Sequence, residues 1–163
     1  MPTMIKIRMY NAGDKEALQA LFTEFLGYKK KSYDKKAFAF DDILTSKKKA
    51  YVKKITGAFT TTPNSNLFVA EESNKAVGYI FGSVQEYSFR KMSKAGHIRH
   101  FFVSQNSRNK GAGKRLFTAL AQWLKKQGCA ALVTDVFSGN TKTLSLYRKW
   151  GFLETKVKMK RKI

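Results

Sequence analysis

Residues 98–127 read IRHFFV, then SQNSRNKGAG, then KRLFTALAQWLKKQ, and these three pieces decide the fold. Ile98 to Val103 is a short apolar run of strand length. From Lys114 to Gln127 the apolar residues Leu116, Phe117, Leu120, Trp123 and Leu124 recur at helical spacing, and Gly128 stands where a C-terminal cap belongs. Between strand and helix lies a polar stretch ending in Gly111-Ala112-Gly113. Glycines two apart let the backbone approach a ligand without side chains in the way. The free N–H groups of the helix start carry the positive end of its dipole, so the connection is a site for an anion, a pyrophosphate above all. Arg108, Lys110, Lys114 and Arg115 add charge around it. A tight strand–turn–helix connection would need the same glycines. The pattern is neither the three-glycine dinucleotide fingerprint nor a P-loop.

Outward from this unit the chain continues as alternating elements. Ile5 to Tyr10 alternates apolar and basic residues as a half-buried strand does, and Asn11 with Asp14 reads as a helix cap with an acid in the first turn. Ala17, Leu18, Leu21, Phe22 and Phe25 share a helical face, with Gly27 as the stop. A second helix is expected over about 42–59, and Thr60 to Asn66 is loop-like. Leu67 to Glu71 and Ala76 to Glu86 form a hairpin across Glu72-Ser73-Asn74-Lys75. Beyond the central helix come a strand over Ala130–Phe137, a short helix over Thr141–Trp150 and a last strand. With no repeat and no low-complexity linker, the expectation is one α/β domain over residues 1–163.

Composition narrows the class. A chain of 163 residues with 43% hydrophobic residues can bury a core, and the spread of its apolar residues argues against disorder despite a net charge of +21. Cys129 is the single cysteine, so an intramolecular disulfide and a cysteine-based metal cluster are excluded. It reads as a packed thiol. His97 and His100 lie three apart without further ligands nearby, so no metal is expected. No signal-peptide layout and no 18-residue apolar run occur, which predicts a cytoplasmic protein with no membrane partner. Lysine outnumbers arginine 25 to 7.

The stretch from about Ala95 to Phe152 resembles the GNAT superfamily of acetyl-CoA-dependent N-acetyltransferases. That family's cofactor loop reads Arg/Gln-x-x-Gly-x-Gly/Ala, and here stands Arg108-Asn109-Lys110-Gly111-Ala112-Gly113. Phe101-Phe102-Val103 matches the strand before the loop, and Asn140, Tyr147 and Gly151-Phe152 match the later motifs in order and spacing. The resemblance implies an α/β GNAT-type acyltransferase fold: a central mixed, mostly antiparallel twisted sheet, splayed at the cofactor site and flanked by helices. It implies acetyl-CoA as co-substrate, with Phe101 to Val103 pairing to the pantetheine amides. The segment Arg108 to Lys114 would hold the pyrophosphate. Asn140 would bond the pantetheine arm, though it can equally cap the helix at Thr141. Tyr147 would protonate the departing thiolate, or serve only as a core aromatic.

The expected reaction is direct attack of a primary amine on the thioester, and its proton needs an acceptor. Many family members carry a carboxylate where this chain has Arg99 and His100. His100 titrates near neutral pH, and strand alternation would place it on the opposite face from Arg99. Asp135 interrupts an apolar strand, and a buried acid there would have a raised pKa suited to a base; relatives that acetylate protein amino termini use a carboxylate at this place. Bulk solvent is the third option.

The resemblance implies an acceptor groove lined by the first helices, the central strands and the last strand. The acceptor, a small-molecule or protein amine, would therefore meet a lysine-rich half, including Lys29 to Lys31 and Lys47 to Lys49, and a tail with alternating Lys156, Lys158, Lys160 and Lys162. Such a field repels polycations and suits acidic surroundings, including an acidic or nucleic-acid-rich partner. The alternating tail also reads as a solvated edge strand, reduced or shared with a neighbouring subunit in a homodimer. Two other readings remain open: a basic nucleic-acid- or ribosome-associated binding module, and an acetyl-CoA-binding pseudo-enzyme.

Overall fold

The computed structural model describes residues 4–163. Five strands form one sheet in the order β1 (Lys6–Met9), β2 (Ser65–Glu72), β3 (Lys75–Glu86), β4 (Lys94–Val103) and β5 (Ala131–Thr134). The first three neighbouring pairs are antiparallel, and β4 with β5 is parallel. The sheet is thus mixed and mostly antiparallel, as the resemblance implies. Helices α1 (Lys15–Ser32), α2 (Lys35–Phe38) and α3 (Lys48–Thr61) precede β2, whereas α4 (Ala112–Lys126) and α5 (Thr141–Lys149) flank β5 in the chain.

Local chemistry accounts for most boundaries. The Asn11 side chain accepts from the Gly13 amide and the Asp14 carboxylate from the Asn11 amide, the reciprocal pair of a capping box. Asp14 also receives the Arg8 guanidinium at 2.7 and 2.8 Å, which ties β1 to the helix start. Ser73 and Asn74 adopt φ of 50° and 60°, the left-handed pair of a two-residue hairpin turn, so Glu72 faces Lys75.

Four expectations need correction. Gly27 does not end α1, which runs on to Ser32, because a glycine inside a helix lowers its stability by only about 1 kcal/mol. The second helix begins at Lys48 rather than about residue 42. Strand β5 ends at Thr134, three residues early, where it leaves β4 after the pair Ile98↔Thr134. No strand forms after Phe152: residues 152–163 have no sheet neighbour, and Leu153, Val157 and Met159 stay exposed.

Each face of the sheet has its own core. Helices α4 and α5 cover Ala70, Ile80 and Ile98 with Leu116, Leu120, Leu124 and Tyr147. The three leucines are wholly buried, each stabilising by about 1.5–3 kcal/mol. This contact is close because Gly96 has no side chain: a Cβ there would lie 2.5 Å from Leu124. On the other face α1 and α3 bring Leu18, Leu21, Phe22, Val52 and Phe59 against Tyr79, Phe81 and Phe102.

Candidate active site

The connection from β4 to α4 presents backbone amides that can receive an anion. Asn109 and Gly111 both take left-handed conformations, φ 62° and 88°, and turn the chain into the helix. No side chain caps α4, whose first internal bond runs from the Arg115 amide to the Gly111 carbonyl at 3.1 Å. The amides of Ala112, Gly113 and Lys114 therefore remain as donors at the positive end of the dipole. The loop's cationic side chains are less available than the sequence suggests. Arg108 donates to the Val103 carbonyl at 3.0 Å and stacks 4.4 Å over the Tyr28 ring. Lys110 pairs with Glu72 at 3.0 Å, and Glu72 also accepts from the Ser107 hydroxyl. Arg115 donates to the Ile5 carbonyl. Lys114 is exposed.

Upstream of this loop the sheet opens. Strand β4 pairs with β5 only from Ala95↔Ala131 to Ile98↔Thr134, so Arg99 to Val103 have no partner on that side. An open strand edge of this kind can accept a linear amide-bearing arm as an added strand. The Thr134 hydroxyl bonds the Ile98 carbonyl at 3.2 Å and closes the vertex. Behind the vertex stands Tyr147, 5% exposed among Trp150 and Phe152, with its hydroxyl in contact with Thr134. Burial pushes the phenol up to about 12 against the opposing effect of Thr134, so it keeps its proton at neutral pH.

A bulge changes the faces of β4. Phe81 pairs with His100 and Gly82 with Ile98, leaving Arg99 as the extra residue. Arg99 and His100 consequently share the α1/α3 face, contrary to simple alternation. Arg99 donates to the Ser83 hydroxyl at 3.0 Å and to Gln85 at 3.4 Å, both neutral. His100 is half-buried and wedged among Phe22, Phe25, Phe59 and Tyr79, its Nδ1 2.8 Å from the Tyr79 hydroxyl. Loss of solvent, helped by the charge of Lys29, holds it down to about 3. Such an imidazole is neutral at pH 7 and binds protons poorly, so His100 does not suit a base.

Asp135 is likewise not the buried acid the sequence suggests. It lies just past the end of β5 with its side chain 92% exposed, because the strand has already left the sheet. It does find a partner: its Oδ2 stands 3.3 Å from Nε2 of His97, whose side chain is 15% exposed. In the sequence His97 reads only as a histidine without fellow metal ligands, because the apolar strand pattern begins at Ile98, whereas β4 starts at Lys94. Carrying the alternation back to Lys94 would have placed it on the face opposite Ile98. Among the described residues no cluster of potential ligands could hold a metal ion.

Asn140 caps α5, accepting from the Thr143 amide at 3.3 Å, while its Nδ2 donates to the Tyr33 hydroxyl at 3.2 Å. This second bond ties the α5 start to the end of α1. Lys29 joins the same junction, 4.4 Å over the Phe137 ring, and desolvation lowers its pKa. Two surface hollows, one by Tyr10 and Thr60 and one by Arg8 and Glu24, lie outside the β4–β5 opening.

A parallel sheet edge that opens beside an uncapped helix start, with a protonated phenol behind the opening, defines an acyltransferase of the coenzyme A-dependent kind. The chain belongs to the Acetyltransferase (GNAT) family, whose model matches residues 18–152. It is 31% identical over 97 residues to an N-alpha-acetyltransferase of Sulfurisphaera tokodaii, 55% of this chain and 58% of that protein. The chain therefore spans less than two thirds of that relative. An uncharacterized N-acetyltransferase of Bacillus subtilis is 24% identical over 150 residues, 92% of this chain and 91% of its own length. Among solved structures, an aminoglycoside N-acetyltransferase in complex with CoA superposes with a TM-score of 0.73 at 19% identity, covering 99% of this chain and 97% of that one. Glucosamine-6-phosphate N-acetyltransferase from Arabidopsis thaliana gives 0.67 at 21% identity, with 98% of each chain covered. Among the described residues no helix is long and apolar enough to cross a membrane.

Proposed function

We propose that this protein transfers the acetyl group of acetyl-CoA to a primary amine by direct attack. One observation carries the reading: the sheet opens after Ile98↔Thr134, between the free amides of the α4 start and the Tyr147 phenol. The residues fit the co-substrate in order. The Arg108–Lys114 backbone holds the pyrophosphate, and the free edge of Phe101, Phe102 and Val103 receives the pantetheine amides. Asn140 offers its side chain to the same arm. The co-substrate supplies an acyl group activated as a thioester. Tyr147 supplies a proton to the leaving sulfur, and its raised pKa guarantees that the proton is present. No covalent acyl-enzyme is needed: Cys129 lies before the start of β5, at the end away from the vertex, and burial raises its pKa away from the reactive thiolate.

The acceptor enters on the face opposite Tyr147, where Arg99 projects beyond the cover of α1 and α3. Its guanidinium is held by neutral groups only, which favours an amine that bears a carboxylate of its own, in a small molecule or at a protein terminus. The solved relatives named for an aminoglycoside and for glucosamine-6-phosphate differ in acceptor charge, so the acceptor must be argued from side chains.

Calorimetric titration with acetyl-CoA, against desulfo-CoA and ATP, tests the reading. Micromolar binding that ATP does not match is expected, followed by amine-dependent release of free thiol. Equal binding of ATP, or none of either, would sink it.

A further inference from the structure

The reaction needs a proton acceptor on the amine side, and neither His100 nor a buried Asp135 provides one. We propose that His97 takes the proton from the acceptor amine, with Asp135 as the positioning residue that holds its ring; this rests on the acetyl-transfer reading above.

The placement follows from register. His97↔Val133 and Ile98↔Thr134 are the last two pairs before β4 and β5 part, so His97 lies one residue inside the vertex. Ile98 belongs to the α4/α5 face together with Tyr147, and the next side chain back along the strand points to the opposite face. His97 also pairs with Ser83, the residue that anchors Arg99. The shelf beside the vertex thus holds His97, Arg99, Ser83 and Asp135 on the amine side, with Tyr147 on the far side. A reacting carbon at the vertex would have its proton acceptor and its proton donor on opposite faces of the sheet.

The ring is poised in the right form. With Nε2 turned to Asp135 Oδ2, the neutral tautomer carries its proton on Nε2 and leaves Nδ1 as acceptor. Arg99 on its own strand and Asp135 beyond β5 are the charged groups acting on it, and β3 offers only the neutral Ser83 and Gln85. Desolvation and Arg99 lower the His97 pKa while Asp135 raises it, so the imidazole is free to accept at pH 7. In the step itself the amine nitrogen bonds the acetyl carbon and the carbon–sulfur bond breaks. The N–H proton passes to His97, and the sulfur takes a proton from Tyr147. Exchange with solvent then resets both residues, so the net result is amide, free thiol and no change in the enzyme.

The test uses the full chain, acetyl-CoA, and glutamate or a peptide with an acidic first residue as amine, with water as acceptor where neither is taken. In His97→Gln and His97→Ala, thiol release should fall about 10²- to 10³-fold while acetyl-CoA binding stays within about twofold of wild type. Added imidazole should restore part of the rate in His97→Ala. Asp135→Asn should move the acid limb of the pH–rate profile down, and Arg99→Gln should move it up; a structural role would move neither. Nitrogen-detected NMR should find the Nε2–H tautomer at pH 7. Full activity with an unmoved acid limb in His97→Ala would overturn the proposal while leaving acetyl transfer standing. Failure of the unaltered protein to bind acetyl-CoA would overturn both.

Discussion

The two sides of the β4–β5 opening are built by different means. On the cofactor side, the work falls to backbone: left-handed Asn109 and Gly111, uncapped amides, and a strand edge left without a partner. On the amine side it falls to side chains, His97, Arg99 and Asp135, whose directions depend on one bulge and on where β5 stops. Backbone devices demand particular residue types at fixed spacing, so they leave a readable mark. Side-chain constellations gathered by register leave almost none. The charge of the lysine-rich half says less than the neutral setting of a single arginine.

Tyr147 joins the two sides, and its removal should give the largest effect. Tyr147→Phe keeps the ring packed on Trp150 and Phe152 and leaves the Thr134 bond to Ile98 intact. Turnover should fall about 10²- to 10⁴-fold with acetyl-CoA affinity unchanged by calorimetry. Unchanged turnover would leave the phenol as packing only and the cofactor side without chemistry. Gly111→Val comes next, and should act on binding instead. A Cβ would meet open space there, but φ of 88° disfavours a branched residue. The amide fan turns away from its anion, and each charged hydrogen bond lost, about 1.5–3 kcal/mol, raises the Kd roughly tenfold to a hundredfold. Wild-type affinity in that variant would mean that the phosphates are held elsewhere.

The amine side carries a pH signature in the acid range, where the Tyr147 phenol of the cofactor side stays protonated. His100 is held down to about 3 in the folded protein, whereas the unfolded chain binds a proton below the ordinary value of 6.5. The unfolded state therefore gains protons first, and stability present above pH 6.5 drains away as the pH falls toward 3. From pH 6.5 to 5 the loss is about 2 kcal/mol, and His97, also lowered, adds in the same direction. Melting temperature against pH should show this slope, and His100→Gln should flatten it. A slope unchanged in that variant would place the acid sensitivity outside the aromatic cluster.

The same division explains what was legible. Asn11 with Asp14, the hairpin at Ser73-Asn74, the leucine stripe of α4 and the Gly111 loop all declare themselves, because capping, turn geometry and periodicity are local. Gly27 misled because a glycine weakens a helix without ending it where α1 packs on the sheet through Phe22. Alternating lysines after Phe152 satisfy the strand pattern, yet a strand needs an edge to pair with, and no sequence pattern supplies one. Arg99 and His100 were assigned to opposite faces because alternation was extended through a bulge that nothing near Gly82 announces.

Asn140 lies on the boundary between the two sides, which makes it the finest probe of the comparison. Its oxygen caps α5 while its amide group reaches Tyr33 at the end of α1. A capping role needs only an acceptor, so Asn140→Asp should keep stability within about 0.5 kcal/mol of the native protein. A role toward the pantetheine arm needs the amide donor as well, and Asp cannot supply it at neutral pH. Asn140→Asp should therefore bind acetyl-CoA several-fold more weakly with little change in melting temperature. Asn140→Ala loses both functions and should cost about 1 kcal/mol of stability in addition. If the aspartate variant binds acetyl-CoA as tightly as the native chain, Asn140 belongs to the fold alone. The cofactor side would then rest entirely on backbone groups and Tyr147.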